Sequence, residues 1–174
     1  EHEAAARRLE QLQGGESVAL ISDAGTPGIS DPGARIVAAA RAAGCKVVPL
    51  PGPCAVPTAL SASGLLDEHF LFAGFLPNKG GQRRQAIEAL REYPCALAFY
   101  EAPHRVLETV ADLAAVLGER TLVIARELTK LFESIHSGPL TAALAWLKED
   151  ANRQRGEFVL VVSGAPAGAD SGEG

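Results

Sequence analysis

The sequence has 174 residues, 47% of them hydrophobic and 21% charged, a composition expected of a globular domain with ample material for a core. Its net charge of −5 argues against sequence-blind nucleic-acid binding, so any RNA contact has to come from a local basic patch. No apolar run reaches membrane-spanning length and no signal-peptide pattern opens the chain, so no membrane partner is expected. Cys45, Cys54 and Cys95 lie far apart with no metal-ligand spacing; no metal site is expected, and a reducing compartment, the cytoplasm, is the natural reading. Methionine is absent, and the sequence is therefore expected to be a piece of something longer.

In chain order, residues 1–13 read as an amphipathic helix ended at Gly14-Gly15. Ser17 to Ser22 reads as a strand that delivers a dense turn, Asp23-Ala24-Gly25-Thr26-Pro27-Gly28-Ile29-Ser30-Asp31-Pro32-Gly33. Glycines let backbone approach a ligand closely, prolines fix the turn, and the aspartates and hydroxyls offer polar contacts. A stiff connection whose polar residues only cap helices is the competing reading. Helix 34–43 and strand 46–50 follow, and the alternation predicts parallel pairing. A second dense loop, Pro51-Gly52-Pro53-Cys54-Ala55, then leads into a helix over 58–66. Ligand loops at the carboxyl ends of neighbouring parallel strands lie side by side.

The aromatic run Phe70-Leu71-Phe72-Ala73-Gly74-Phe75 marks a change of character, which places a domain boundary near Leu66. The expected organisation is a first α/β domain over 1–66, a second over 67–164, and a disordered tail over 165–174. Within the second domain the pattern predicts a helix over 78–93, a strand over 95–101 and a helix over 103–117. A strand over 121–127, a helix over 139–152 and a final strand over 156–163 follow. Lys79, Arg83 and Arg84 open the first of these helices and could meet phosphates, although a solvated face would look the same.

Two stretches carry candidate chemistry. Phe99-Tyr100-Glu101-Ala102-Pro103-His104-Arg105 sets a carboxylate, an imidazole and a guanidinium where a strand meets a helix. His104 and Arg105 are expected in the helix's first turn, a place unfavourable to cations, which points to phosphate contact by Arg105; a pairing with Glu101 or Glu108 also fits. Arg126-Glu127-Leu128-Thr129-Lys130 closes another strand with three charges. Glu101, Glu127 and Lys130 are the candidates for a general base or for orienting a hydroxyl. No serine sits in a nucleophile-elbow motif, so a nucleophilic triad around His104 is rejected.

Together these stretches, with Gly74-Phe75-Leu76-Pro77 and Gly156-Glu157, resemble the tetrapyrrole methylase superfamily of S-adenosylmethionine-dependent methyltransferases, and most closely its ribosomal RNA branch. The resemblance implies a two-domain α/β fold with the methyl donor between the domains. It implies 2′-O-methylation of a cytidine in bacterial 16S ribosomal RNA, with the small ribosomal subunit as partner, and a homodimer. Matched position by position, it implies donor contacts from Asp23, Gly25 and Thr26, from Cys54 and Ala55, and from Tyr100, Ala125 and Glu157. RNA contacts are expected from Lys79, Arg83, Arg84 and Arg105. The family's opening strand with its Thr-Pro-Ile-Gly-Asn-Leu loop, its Asp-Thr-Arg motif and its C-terminal extension do not occur in this sequence, so the N-terminal domain is expected to be incomplete. A small-tetrapyrrole methyltransferase and a non-catalytic dimerisation and RNA-docking module are the alternatives.

Overall fold

A computed structural model describes residues 2–30 and 33–166. It forms two compact units, Glu1–Cys54 and Ala55–Gly174. The second unit thus starts ahead of the composition change near Leu66. Most of the expected tail, 167–174, lies outside the described residues; Ala165 donates its N–H to Tyr93 O at 2.8 Å.

The first unit holds α1 (His2–Gln13) and α2 (Ala34–Ala42), which pack on each other. Gly15 and Gly44, with φ of 89° and 73°, end the two helices in the left-handed region where a side chain would be strained. The strands expected over 17–22 and 46–50 are not formed: both stretches are irregular, and no ladder joins them among the described residues. The apolar pattern is that of strands, yet Ile21, Val48 and Leu50 are exposed by 85%, 61% and 79%. Without a neighbour to take its N–H and C=O groups, an apolar run has no ladder to join.

The second unit runs α3 (Ala55–Ser61), β1 (Phe70–Phe75), α4 (Gly80–Glu88), β2 (Ala96–Glu101), α5 (Val106–Leu117), β3 (Thr121–Arg126), β4 (Ser134–Pro139), α6 (Leu140–Glu149) and β5 (Phe158–Val162). The sheet order is β1-β2-β5-β3-β4. Among the described residues only β1 and β2 pair in parallel, while β5 sits between β2 and β3 antiparallel to both. Every residue of β5 is buried, which is why Phe158-Val159-Leu160-Val161-Val162 is apolar without alternation. Strand β4 was not expected, because Ser-Ile-His-Ser-Gly-Pro carries a poor strand signal; as an edge strand it tolerates a proline at its end.

The two faces of this sheet differ in side-chain size. On one, Leu97, Phe99, Leu122, Ile124, Leu160 and Val162 pack against Val106, Val110 and Leu113 of α5 and Leu140 and Leu147 of α6. On the other, Ala96, Ala98, Val123, Ala125, Val159 and Val161 form a shallow surface that meets Val56 and Ala59 of α3, with the partly buried Leu60, Leu65, Phe72, Tyr100 and Leu128 packed against it. The helix expected to begin at Pro103 starts at Val106, so His104 and Arg105 precede the first turn and the dipole argument for them falls away.

Candidate active site

In the first unit the turn after Ser22 is built on left-handed backbone at Gly25 (φ 72°), Gly28 (φ 82°) and Ser30 (φ 51°). Ser22 Oγ donates to Ala24 O and Gly25 O at 3.2 and 3.0 Å, closing the turn on itself. Thr26 Oγ1 donates to Pro53 O at 2.9 Å, which ties the first loop to the second. A Cβ at Gly52 would stand 3.4 Å from Thr26 Oγ1, and one at Gly25 would stand 3.6 Å from Pro53 O. The structure therefore brings Asp23, Gly25, Thr26 and Cys54 into one pair of linked loops, with Asp23 exposed and Cys54 half-buried. Asp31 and Pro32 of the first loop lie outside the described residues, and Ala55 opens α3 in the second unit. Two glycine-bearing turns beside an exposed carboxylate fit a ligand with an ammonium or ribose hydroxyls for Asp23 and a carboxylate for the backbone N–H groups.

In the second unit, residues in register share a face of the sheet. Phe75 pairs with Tyr100, Tyr100 with Val159, Val159 with Ala125, and Ala125 with Ile135. Tyr100 and Ala125 thus lie in one row at the end of the sheet where β1, β2 and β3 finish. Ala125 is fully buried, backbone and side chain alike, and offers a ligand no accessible surface in this structure. Glu157 stands just before β5 at the same end. Its N–H donates to Glu127 Oε1 at 2.8 Å, and its carbonyl accepts from Glu127 N at 3.0 Å.

An ionic turn follows β3. Lys130 Nζ donates to Glu157 Oε2 at 2.7 Å and to Glu127 Oε1 at 3.3 Å. Thr129 N donates to Glu133 Oε2 at 2.6 Å. Glu127 and Thr129 adopt φ of 52° and 65°, a costly conformation for residues with a Cβ and most of all for a β-branched one. Gly156 makes room for this turn, since a Cβ there would sit 2.4 Å from Glu127 Cγ.

All three candidate bases are engaged by neighbouring groups. Glu101 is a buried structural contact: Ala102 N donates to its Oε1 at 2.8 Å, Thr109 Oγ1 donates to its Oε2 at 2.5 Å, and Arg105 Nε lies 3.5 Å away. Glu127 is held below the usual carboxylate range, first by the Glu157 N–H and then by Lys130, which makes it a weak base. Lys130 is held above the usual lysine value, chiefly by the Glu157 carboxylate, and keeps its proton. What this corner can do is present a fixed ammonium and a rigid backbone.

The expected RNA contacts separate in the same way. Arg83 is buried, with Nε 2.6 Å from Asp112 Oδ2 and Nη2 3.2 Å from Glu108 Oε2, so its guanidinium joins α4 to α5 and is lost to a phosphate. Arg105 spends its guanidinium on main chain, donating from Nη2 to Leu76 O at 2.7 Å and to Pro77 O at 3.1 Å. Arg84 is half-exposed and shares Asp112 at 3.1 Å. Lys79 is exposed and has no ion pair among the described residues. Sequence reasoning missed Thr109 and Asp112, the buried partners; the signal was two polar residues three apart on the apolar face of α5.

Residues 1–144 match the family model described as Tetrapyrrole (Corrin/Porphyrin) Methylases, and the chain belongs to that family of methyltransferases. Within it, the sequence is similar to ribosomal RNA small subunit methyltransferase I of Escherichia coli O157:H7, with 53% identity over 168 residues, 96% of this chain and 59% of that protein. It is similar to the protein of the same name from Pseudomonas aeruginosa, with 54% identity over 174 residues, 98% of this chain and 62% of that protein. The chain therefore spans about three-fifths of the length of these curated relatives. Its fold is shared with uroporphyrin-III C-methyl transferase from Thermus thermophilus complexed with S-adenyl homocysteine, with a TM-score of 0.61, 17% identity, and coverage of 94% of this chain and 73% of that one.

Proposed function

We propose that the intact protein is an S-adenosylmethionine-dependent methyltransferase that methylates a ribose 2′-hydroxyl of a cytidine in 16S ribosomal RNA, working in the cytoplasm as a homodimer on the small ribosomal subunit. The observation that carries this reading is identity above 50%, over nearly the whole chain, with relatives named for the ribosomal RNA of the small subunit. The linked loops of the first unit support a donor site. Asp23 would accept from the donor's ammonium or ribose hydroxyls, and the turn N–H groups around Gly25 and Thr26 would hold its carboxylate. S-adenosylmethionine, when bound, supplies a sulfonium-activated methyl group. With Glu101 buried and Lys130 protonated, the protein's contribution is chiefly to align the acceptor hydroxyl, a factor worth up to about 7–11 kcal/mol of barrier in well-oriented systems.

Transfer of labelled methyl groups to small ribosomal subunits lacking the modification tests the reading directly. Label recovered as a 2′-O-methylcytidine is expected. Label found only on a tetrapyrrole, or on neither acceptor, would reverse it in favour of the small-molecule enzyme or the non-catalytic module.

A further inference from the structure

Phe75 is exposed by 54% at the end of edge strand β1. A lone exposed aromatic is ordinary; this one is held in place by the fold. Gly74 carries a left-handed φ of 68°, and the β1–β2 register slips between Phe72 and Gly74. The slip puts Phe75 opposite Tyr100, and the two rings meet edge to face with centroids 5.7 Å apart. Tyr100 in turn meets Phe72 at 4.8 Å, so three rings brace one another. Beyond Phe75 the chain is pinned by Arg105, whose Nη2 reaches the carbonyls of both Leu76 and Pro77 and whose Nε faces the buried Glu101. Two residues beyond Pro77, exposed Lys79 leads into α4, and Arg84 follows, half-exposed and paired with Asp112.

An exposed aromatic ring held by the fold, with an exposed lysine four residues further along the chain, suits an unpaired nucleotide, the base stacked on the ring and the phosphate drawn by charge. We propose that Phe75 is a stacking platform for an unpaired base of the RNA acceptor, with Lys79 contacting the adjoining backbone. Glu101 and Arg105 then act as positioning residues that fix the ring's place. The inference rests on the RNA reading above and assigns a residue to the acceptor side of the site.

The test uses the intact protein, with labelled S-adenosylmethionine and small ribosomal subunits lacking the modification. Phe75→Ala is expected to raise KM for the subunit by about 10- to 100-fold, the loss seen when a base-stacking ring is removed. Donor affinity by calorimetry should stay at the wild-type value. Phe75→Trp should restore KM, and Phe75→Leu, which keeps apolar bulk without a flat ring, should not. Lys79→Gln should reduce the salt dependence of subunit binding. Unchanged KM in Phe75→Ala, equal rescue by leucine, or a loss of donor affinity that matches the rise in KM would overturn the assignment and leave the RNA reading intact. No transfer to subunits by the wild type would overturn both.

Discussion

Arg83 and Arg84 are consecutive in sequence and do different things. One turn of helix spans 3.6 residues, so neighbours point about 100° apart, and α4 sends Arg83 into α5 while Arg84 reaches solvent. Removing one partner of a buried ion pair strands the other charge. Arg83→Ala is therefore expected to cost about 3–5 kcal/mol of stability by leaving Asp112 short of its closest partner. Denaturant unfolding would show this, and a loss below about 1 kcal/mol, the size of a surface pair, would contradict the buried assignment. Gly156 is a second position where one atom decides. Its φ of 92° and the collision an added Cβ would make with the Glu127 side chain mean that Gly156→Ala must displace that carboxylate. A destabilisation of about 1–3 kcal/mol is expected, and an unchanged melting midpoint would contradict the tight fit.

At the scale of elements, β4 and α6 are joined by a stack the sequence does not advertise. His136 of β4 lies parallel to Trp146 of α6, with centroids 3.7 Å apart, and the Arg153 guanidinium covers the indole at 4.3 Å. Arg153 is itself paired with Glu149 at 2.9 Å. Burial first, then the nearby Arg153 charge, hold His136 below the usual histidine value. The folded chain thus resists a proton that the unfolded chain accepts near pH 6.5. Stability should be full above that pH and fall as the pH drops through it, with the loss complete only below the lowered folded value. Melting curves between pH 8 and 5 should show this fall, and His136→Phe should flatten it; an equally steep fall in the variant would place the effect elsewhere. Strands β2, β3 and β5 were legible as apolar runs because burial on both faces leaves no polar alternation. Strand β4 was not, because its serines, glycine and proline hide an edge position that only pairing with β3 creates. The stretches 17–22 and 46–50 show the converse, since pattern alone does not supply a neighbour.

For the molecule as a whole, the loops were more legible than the side chains that were expected to do chemistry. Glycine and proline announce a turn locally, so the approach of the first loop to Pro53 could be anticipated from Gly25, Thr26 and Gly52. The Arg105–Glu101 pairing was one of the readings the sequence left open, and the structure shows it at 3.5 Å. The buried partners of Glu101 and Arg83 could not be read, because a charge looks the same in sequence whether it faces solvent or a buried partner such as Thr109 or Asp112. The linked loops are the proposed seat of the methyl donor. Calorimetric titration of the intact protein and its Asp23→Ala variant with S-adenosylmethionine measures this most directly. The variant should bind about 10- to 100-fold more weakly, as expected when a charged hydrogen-bond partner is removed. Equal affinities would contradict the placement of the methyl donor at these loops.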